Sequence, residues 1–143
     1  MVEIFIMSFN QFSVEFSIIG HPIVGHATFI RQLSPQTVAL IRYRLRKPIQ
    51  SRVVVRNGEI SIPFKIGRAV PESPKREVQR GEVAYWPQSQ TLIIFLEDKK
   101  INYPVNIVGA IDYGELKFFD QLSIGKSIRL EMIKPTIDEE DYL

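Results

Sequence analysis

The segment RVVVRNGEISIP, residues 52–63, is typical of two β-strands joined by a tight turn. From Ile60 to Phe64 apolar and polar residues alternate, which is the period of a strand with one buried face. Asn57 and Gly58 stand between the two strands, and both residues tolerate the positive φ that a type I′ turn requires. We therefore predict a β-hairpin here.

The rest of the chain continues this β pattern. Apolar and polar residues alternate again over residues 12–18 and 128–132, and the apolar run of residues 1–7 predicts a first strand. Residues 91–96 and 105–111 are continuous apolar runs, which predict strands covered on both faces. Many short strands favour an all-β fold, and a closed β-barrel leaves no exposed strand edge.

One main helix interrupts the strands, over about residues 35–47. Ser34 can cap it, Pro35 suits its first turn, and Pro48 ends it. Its apolar residues recur at helical spacing, so we expect the helix to plug one end of the barrel. These residues are Val38, Ile41 and Leu45. A second, short helical turn is predicted near residues 115–122.

Length and composition indicate one folded domain. The chain has 143 residues, of which 45% are hydrophobic and 24% charged, and it contains no cysteine. These values exclude intrinsic disorder and a disulfide scaffold. We predict a single domain over residues 1–137 with an acidic tail at 138–143. No apolar run approaches the roughly 18 residues of a membrane span, and we expect a cytoplasmic protein without a membrane partner.

The charges are unevenly distributed along the chain. Residues 42–80 hold eleven basic and three acidic residues, although the net charge of the whole chain is only +2. A basic segment can attract phosphate or nucleic acid, whereas a solvated surface with ion pairs is the simpler interpretation. Within it, residues 67–81 show no periodicity and are predicted to form a loop, either functional or a plain surface excursion.

Motifs of catalysis and cofactor binding are missing from the sequence. His21 and His26 are separated by Pro22 and Gly25 and have no cysteine to complete a closed zinc site, so no metal is predicted. There is no Gly-x-Ser-x-Gly nucleophile motif. Residues 109–114 follow a strand but lack the lysine and hydroxyl residue of a phosphate-binding loop. We therefore predict no cofactor.

Several segments together resemble a known family, the small bacterial and archaeal proteins with a cyclophilin-like β-barrel fold, largely of unassigned function. The most specific part is the block Gly-Glu-Val-Ala-Tyr-Trp-Pro at residues 81–87, followed by Pro-Val-Asn-x-x-Gly at residues 104–109. The helix opened by Ser34-Pro35, residues 60–63 and residues 91–95 add to it, and the resemblance covers most of residues 24–133.

The resemblance implies a ligand groove on the barrel wall. Cyclophilins are peptidyl-prolyl isomerases that bind a proline-containing peptide there, with a catalytic arginine in a Phe-His-Arg motif. This chain has no such tripeptide, and the nearest arginines are Arg52 and Arg56. Ser89-Gln90 and Phe95 are similar to the start and the aromatic residue of the cyclophilin groove strand.

We therefore weigh three functions. The first is a module that binds a proline-containing peptide or a small ligand by apolar burial and a few polar groups. The second is a weak peptidyl-prolyl isomerase, and the third is anion or nucleic-acid binding through residues 42–80, with nucleic acid the less expected partner. The candidate ligand-binding residues are Arg52, Phe64, Tyr85, Trp86, Gln90 and Phe95.

Overall fold

The computed structural model describes residues 10–67, 69–122 and 126–133. Ten β-strands and two α-helices lie in these ranges. The strands are β1 (Gln11–Ile18), β2 (Val24–Ile30), β3 (Ile49–Arg52), β4 (Val54–Arg56), β5 (Glu59–Pro63), β6 (Lys75–Val78), β7 (Glu82–Trp86), β8 (Thr91–Phe95), β9 (Lys99–Ile111) and β10 (Ser127–Ile133); the helices are α1 (Pro35–Arg44) and α2 (Leu116–Asp120). The strand predicted over residues 1–7 and the acidic tail lie outside the described residues.

Nine strands form one antiparallel sheet in the order β3-β10-β1-β2-β9-β7-β8-β5-β4, and β6 pairs with β9 beside it. The all-β prediction is confirmed, but a closed barrel is not, because among the described strands no ladder joins β3 to β4. Only Val53 separates these two edge strands, so they follow one another along the chain and cannot fold back to pair. We call this break in the sheet at Val53 the seam. Val53 is buried there, and the Ser51 hydroxyl of β3 donates to the Pro63 carbonyl of β5 at 3.3 Å.

The predicted hairpin is present as β4 and β5. Asn57 and Gly58 have φ values of 54° and 73°, as a type I′ turn requires. In the ladder between the two strands, Val54 pairs with Ser61 and Arg56 with Glu59. The hairpin prediction is therefore confirmed, and its register directs Ile60 and Ile62 into the main core and Glu59 and Ser61 away from it.

The main core lies between the inward faces of the sheet and the two helices. The predicted apolar face of α1 is buried in it, as are Val14 and Phe16 of β1. The helix ends at Arg44 rather than at the predicted residue 47, and α2 is confirmed within residues 115–122. Phe118 and Phe119 of α2 pack on β2, where a Cβ at Gly25 would lie only 2.5 Å from the Phe118 ring.

The capping of α1 differs from the prediction. Ser34 occupies the N-cap position, but its hydroxyl donates to the Ile107 carbonyl at 2.8 Å because β9 packs against it. The Glu72 carboxylate caps the helix instead, accepting from the backbone amides of Gln36 at 2.9 Å and Thr37 at 2.8 Å. Burial raises the pKa of Glu72, but these bonds and the Thr37 hydroxyl outweigh it, so the net pKa is lowered.

A fully buried asparagine connects this cap to β9. The Asn106 amide donates to the Thr37 hydroxyl at 3.0 Å and to the Val70 carbonyl at 2.8 Å, and its oxygen accepts from the Glu72 backbone amide at 2.8 Å. The segment around residues 70–72 is thereby fixed to the sheet. The predicted loop of residues 67–81 is thus ordered in part, with Glu72 as its structural anchor.

A second, smaller core covers the other face of β7 and β8. Ile93 and Phe95 of β8 point away from the main core, whereas Leu92 and Ile94 point into it. The prediction that residues 91–96 form a strand covered on both faces is confirmed. The second core consists of Val78, Ala84, Ile93, Phe95, Ile101, Val105 and Ile107, with Trp86 and Tyr103 packed against it.

The covering layer is built from β6 and from residues 99–105 of β9, which we call the outer layer. In it, Lys75 pairs with Val105 and Val78 with Lys99. Residues 75–78 belong to the segment predicted to form a loop, and for these residues the prediction was wrong. The strand is charged and only Val78 is buried, so it shows no alternation to detect.

None of the described helices is long and apolar enough to cross a membrane.

Candidate functional site

A groove of about 710 Å³ runs between the outer layer and the outward faces of β4, β5 and β8. One side of it is formed by the outer layer, and the other by outward side chains of the hairpin and of β8. The groove is lined by Val54, Arg56, Asn57, Glu59, Ser61, Pro63, Trp86, Ser89, Thr91, Ile93, Lys99, Lys100, Ile101, Asn102 and Tyr103.

Two stacked aromatic rings form the apolar part of the groove. Trp86 stands at the end of β7 and Tyr103 on the outer layer, with ring centroids 4.1 Å apart and planes at 23°. Trp86 is the single tryptophan of the chain. Its indole Nε1 is buried and has no hydrogen-bond partner among the described residues, which is an uncommon state for a tryptophan donor.

A carboxylate beneath the rings joins the outer layer to the hairpin. The Tyr103 hydroxyl donates to Glu59 Oε1 at 2.6 Å, and the Lys99 ammonium donates to Glu59 Oε2 at 2.7 Å. Lys99 also donates to the Asn57 carbonyl at 2.6 Å. Burial raises the pKa of Tyr103, and the bond to Glu59 raises it further, so the phenol stays protonated and keeps donating.

The remaining charges at the groove are positive. The Arg56 guanidinium is exposed, and within the described ranges it has no ion-pair or hydrogen-bond partner. Lys100 lies 3.6 Å from Glu77, but both side chains are largely exposed, at 85% and 77%, and such pairs contribute little. The Glu59 charge is offset by Lys99, so the groove presents a net positive rim beside an aromatic wall.

Of the six predicted site residues, Trp86 is the one that lines this groove. Arg52 is exposed at the end of β3 and does not line it, whereas Phe95 is fully buried in the second core. Phe64 and Tyr85 are buried in the main core.

Gln90 has a structural role next to Phe64 and Tyr85. The Tyr85 hydroxyl donates to the Phe64 carbonyl at 2.6 Å, and Gln90 Oε1 lies 3.1 Å from the same hydroxyl oxygen. Burial raises the pKa of Tyr85 to about 12. Gln90 has a left-handed φ of 54°, and its amide donates to the Gly67 and Pro87 carbonyls at 3.0 and 3.1 Å. This cluster fastens the turn between β7 and β8.

Sequence reasoning missed the hydrogen-bonded centre of the groove, which is formed by Glu59, Lys99 and Tyr103. The alternation of β5 did assign Glu59 to the polar face, and Tyr103-Pro104 lies in the family-like segment. Their meeting depends on the outer layer, which brings residues 99–103 over β5. No local pattern in the sequence encodes that long-range contact.

A second polar cluster surrounds His26 on β2. Its Nδ1 lies 2.8 Å from Glu115 Oε1, and its Nε2 lies 3.3 Å from Glu15 Oε2. Burial lowers the pKa of His26, but hydrogen bonds and charges of Glu115 and then Glu15 outweigh it, so the net pKa is raised from 6.5. Glu131 of β10 lies opposite Glu15 in the ladder, and its carboxylate is paired with Arg129 at 3.5 Å.

Bases of the segment 42–80 lie on several surfaces. Arg80 binds Asp120 at 2.9 Å, Arg46 stacks over the Tyr43 ring at 3.6 Å, and Arg56 lies at the groove. The anion or nucleic-acid interpretation of the whole segment stays a prediction.

A family model described as cyclophilin-like matches residues 21–131. Among solved structures, the solution structure of the hypothetical protein AF2241 from Archaeoglobus fulgidus has a TM-score of 0.69 at 23% identity, and the match covers 85% of this chain and 95% of that one. McbB in complex with tryptophan has a TM-score of 0.64 at 14% identity, with 87% of this chain and 46% of McbB covered. At these identities the two structures show a shared fold. No curated protein matches the sequence significantly.

Replacing the Glu59 carboxylate should loosen the outer layer. We expect Glu59→Gln to lower the free energy of unfolding by about 1 to 3 kcal/mol, since Lys99 and Tyr103 lose a charged acceptor. Urea unfolding followed by Trp86 fluorescence measures this, and the native emission should shift to the red. The control is Glu77→Gln, on the exposed pair with Lys100, which should change stability by less than about 0.5 kcal/mol. Equal effects of both variants would contradict the role of Glu59 in joining the outer layer to the hairpin.

The His26 cluster should make stability depend on pH. Because the folded state raises the pKa of His26, its contribution is fully present below 6.5 and is lost as pH rises through the folded pKa. We expect His26→Gln to be less stable than the wild type near about pH 5.5 and to approach it near about pH 8.5. Thermal unfolding across this range measures the difference. A gap between the two proteins that does not vary with pH would refute this assignment.

Proposed function

The chain belongs to the cyclophilin-like family, and from that premise we propose that it binds a small ligand or a peptide in the groove beside Trp86. The observation that carries the proposal is the stacked Trp86–Tyr103 pair at the wall of a groove of about 710 Å³. Volumes of roughly 300–1,000 Å³ with an aromatic wall and few polar groups are usual for ligand sites.

The buried indole donor adds to this argument. Leaving a buried N–H unpaired costs about 1–3 kcal/mol, and such groups in folded proteins often have a functional reason. Ile93 and Ile101 extend the apolar surface next to the rings, while Asn57, Asn102 and Ser61 supply neutral polar groups. A ring-bearing ligand seated here would contact both kinds of surface.

Amino acids with a ring are suitable first probes. McbB, a structural neighbour, is known in complex with tryptophan, and cyclophilins bind proline-containing peptides. We expect tryptophan, phenylalanine or proline, as N-acetylated derivatives, to shift the Trp86 indole signal in ¹H–¹⁵N NMR spectra. Because the chain has a single tryptophan, that signal is assigned without further labelling.

A variant that fills the groove tests the location. Ser61 points outward from β5 and is only half-buried, so Ser61→Phe should block the groove without disturbing the main core. We expect this variant to fold normally and to lose the ligand-induced shift. Gln50→Phe, at an exposed position of β3, is the control that should keep it. No shift with any probe at millimolar concentration would reject the proposed function.

Prolyl isomerisation is the second candidate, favoured by one observation: Arg56 lines the same groove as Trp86. An arginine that hydrogen-bonds the prolyl nitrogen stabilises the twisted transition state. Arg52, the other candidate arginine, does not line the groove.

The test is a cis/trans exchange assay on short X-Pro peptides. If the groove is catalytic, Arg56→Ala should reduce the acceleration at least about tenfold, as expected for a lost transition-state contact, while Arg52→Ala keeps it. We expect no acceleration by the wild type, which would leave binding as the function of the groove. Acceleration that both variants retain would exclude Arg56 as the catalyst.

A further inference from the structure

We propose that the groove selects small ligands that contain both a ring and a carboxylate, with Arg56 as the group that recognises the charge. This inference rests on the proposed binding function and names the class of ligand. It follows from the charges that remain at the groove once its internal ion pair is counted.

Among the described residues that line the groove, the one acidic side chain is already neutralised. Both Glu59 oxygens accept hydrogen bonds, from Tyr103 at 2.6 Å and from Lys99 at 2.7 Å. Its side chain is only 15% exposed, and that of Lys99 only 19%. Glu59 therefore offers little negative charge to a ligand, and Lys99 little positive charge.

Arg56 is the available charge. It lines the groove from β4, directly across the ladder from Glu59, and no described residue accepts a hydrogen bond from its guanidinium. A guanidinium presents paired donors in a planar fork that matches a carboxylate. Lys100, on the opposite wall, adds a second positive charge that its exposed partner Glu77 screens only weakly.

The ring and the charge would be held by different walls. The Trp86–Tyr103 pair supplies an apolar, aromatic surface, and the hairpin residue Arg56 supplies the donor fork. A ligand with only a ring would leave the cation unpaired, and one with only a carboxylate would leave the rings uncovered. The volume of about 710 Å³ suits a single small molecule, so we commit to a free small acid as occupant.

The experiment compares ligands that differ only in charge. N-acetyl-L-phenylalanine and N-acetyl-L-proline are titrated against their uncharged amides, with the Trp86 indole signal as the readout. We expect each acid to bind about tenfold more tightly than its amide, the size of one charge-assisted hydrogen bond. Raising the ionic strength should weaken the acids and leave the amides unchanged.

Variants of two exposed arginines locate the effect. Arg56→Gln should bring the acids to the affinity of the amides, whereas Arg52→Gln, outside the groove, should leave the preference unchanged. Circular dichroism confirms that both variants are folded. A preference that survives Arg56→Gln would overturn the assignment of Arg56.

The outcomes separate the two proposals. If acid and amide bind equally, the inference about charge is refuted while the proposed binding function stands. If neither compound binds, and the wider set of probes also fails, the binding function itself is rejected. Tighter binding of the amides would overturn the inference as well, because it would mean that the groove disfavours a carboxylate.

Discussion

The structure depends on the need to bury both faces of β8. Leu92 and Ile94 pack into the main core, but Ile93 and Phe95 point the other way and would be exposed on a single-layered sheet. Burying such side chains is worth about 1.5–3 kcal/mol each, so a second layer is strongly favoured. The first half of β9 together with β6 supplies it. The groove lies where that layer faces the outward side chains of the hairpin.

Strand β9 also connects the outer layer to the N-terminal end of α1. Asn106 lies where β9 passes from the outer layer into pairing with β7, and its buried amide holds Thr37, Val70 and Glu72 together. Three residues further on, Gly109 lies so close to β2 that a Cβ would meet the Thr28 carbonyl oxygen at 2.2 Å. The Pro-Val-Asn-x-x-Gly segment therefore has a physical reason for its asparagine and for its glycine.

Local patterns predicted those parts of the fold that local chemistry controls. Asn57-Gly58 predicted the hairpin because positive φ is a property of the two residues themselves, and the apolar run at residues 91–96 predicted a strand covered on both faces. Lys75–Val78 was missed because that strand is stabilised by pairing with β9 rather than by its own side chains. The cap of α1 was assigned to Ser34 because Glu72 is far away in sequence.

The candidate site was less predictable for the same reason. Trp86 was identified from its residue type, but Tyr85, one position earlier on the strand, points into the main core because side chains alternate between the two faces. Phe95 shares the outward face with Trp86 and is nevertheless buried beneath the outer layer. Glu59, Lys99 and Tyr103 come together only through tertiary contact. Residue types predicted an aromatic groove, but which residues line it depends on how the outer layer covers β5 and β8.

The seam at Val53 has a consequence for how the groove wall can move. On its seam side β4 has no ladder partner among the described strands, so its one strand neighbour is β5. Moving β4 outward would widen the cleft at the expense of its short ladder with β5, whereas β5 is held along Glu59–Pro63 by its own ladder with β8. Regions that open with few broken contacts are the ones that fluctuate most readily in a folded protein. Because a ladder holds β4 on one side only, β4 is the strand of the groove wall that can adjust to an occupant at the smallest cost in hydrogen bonds.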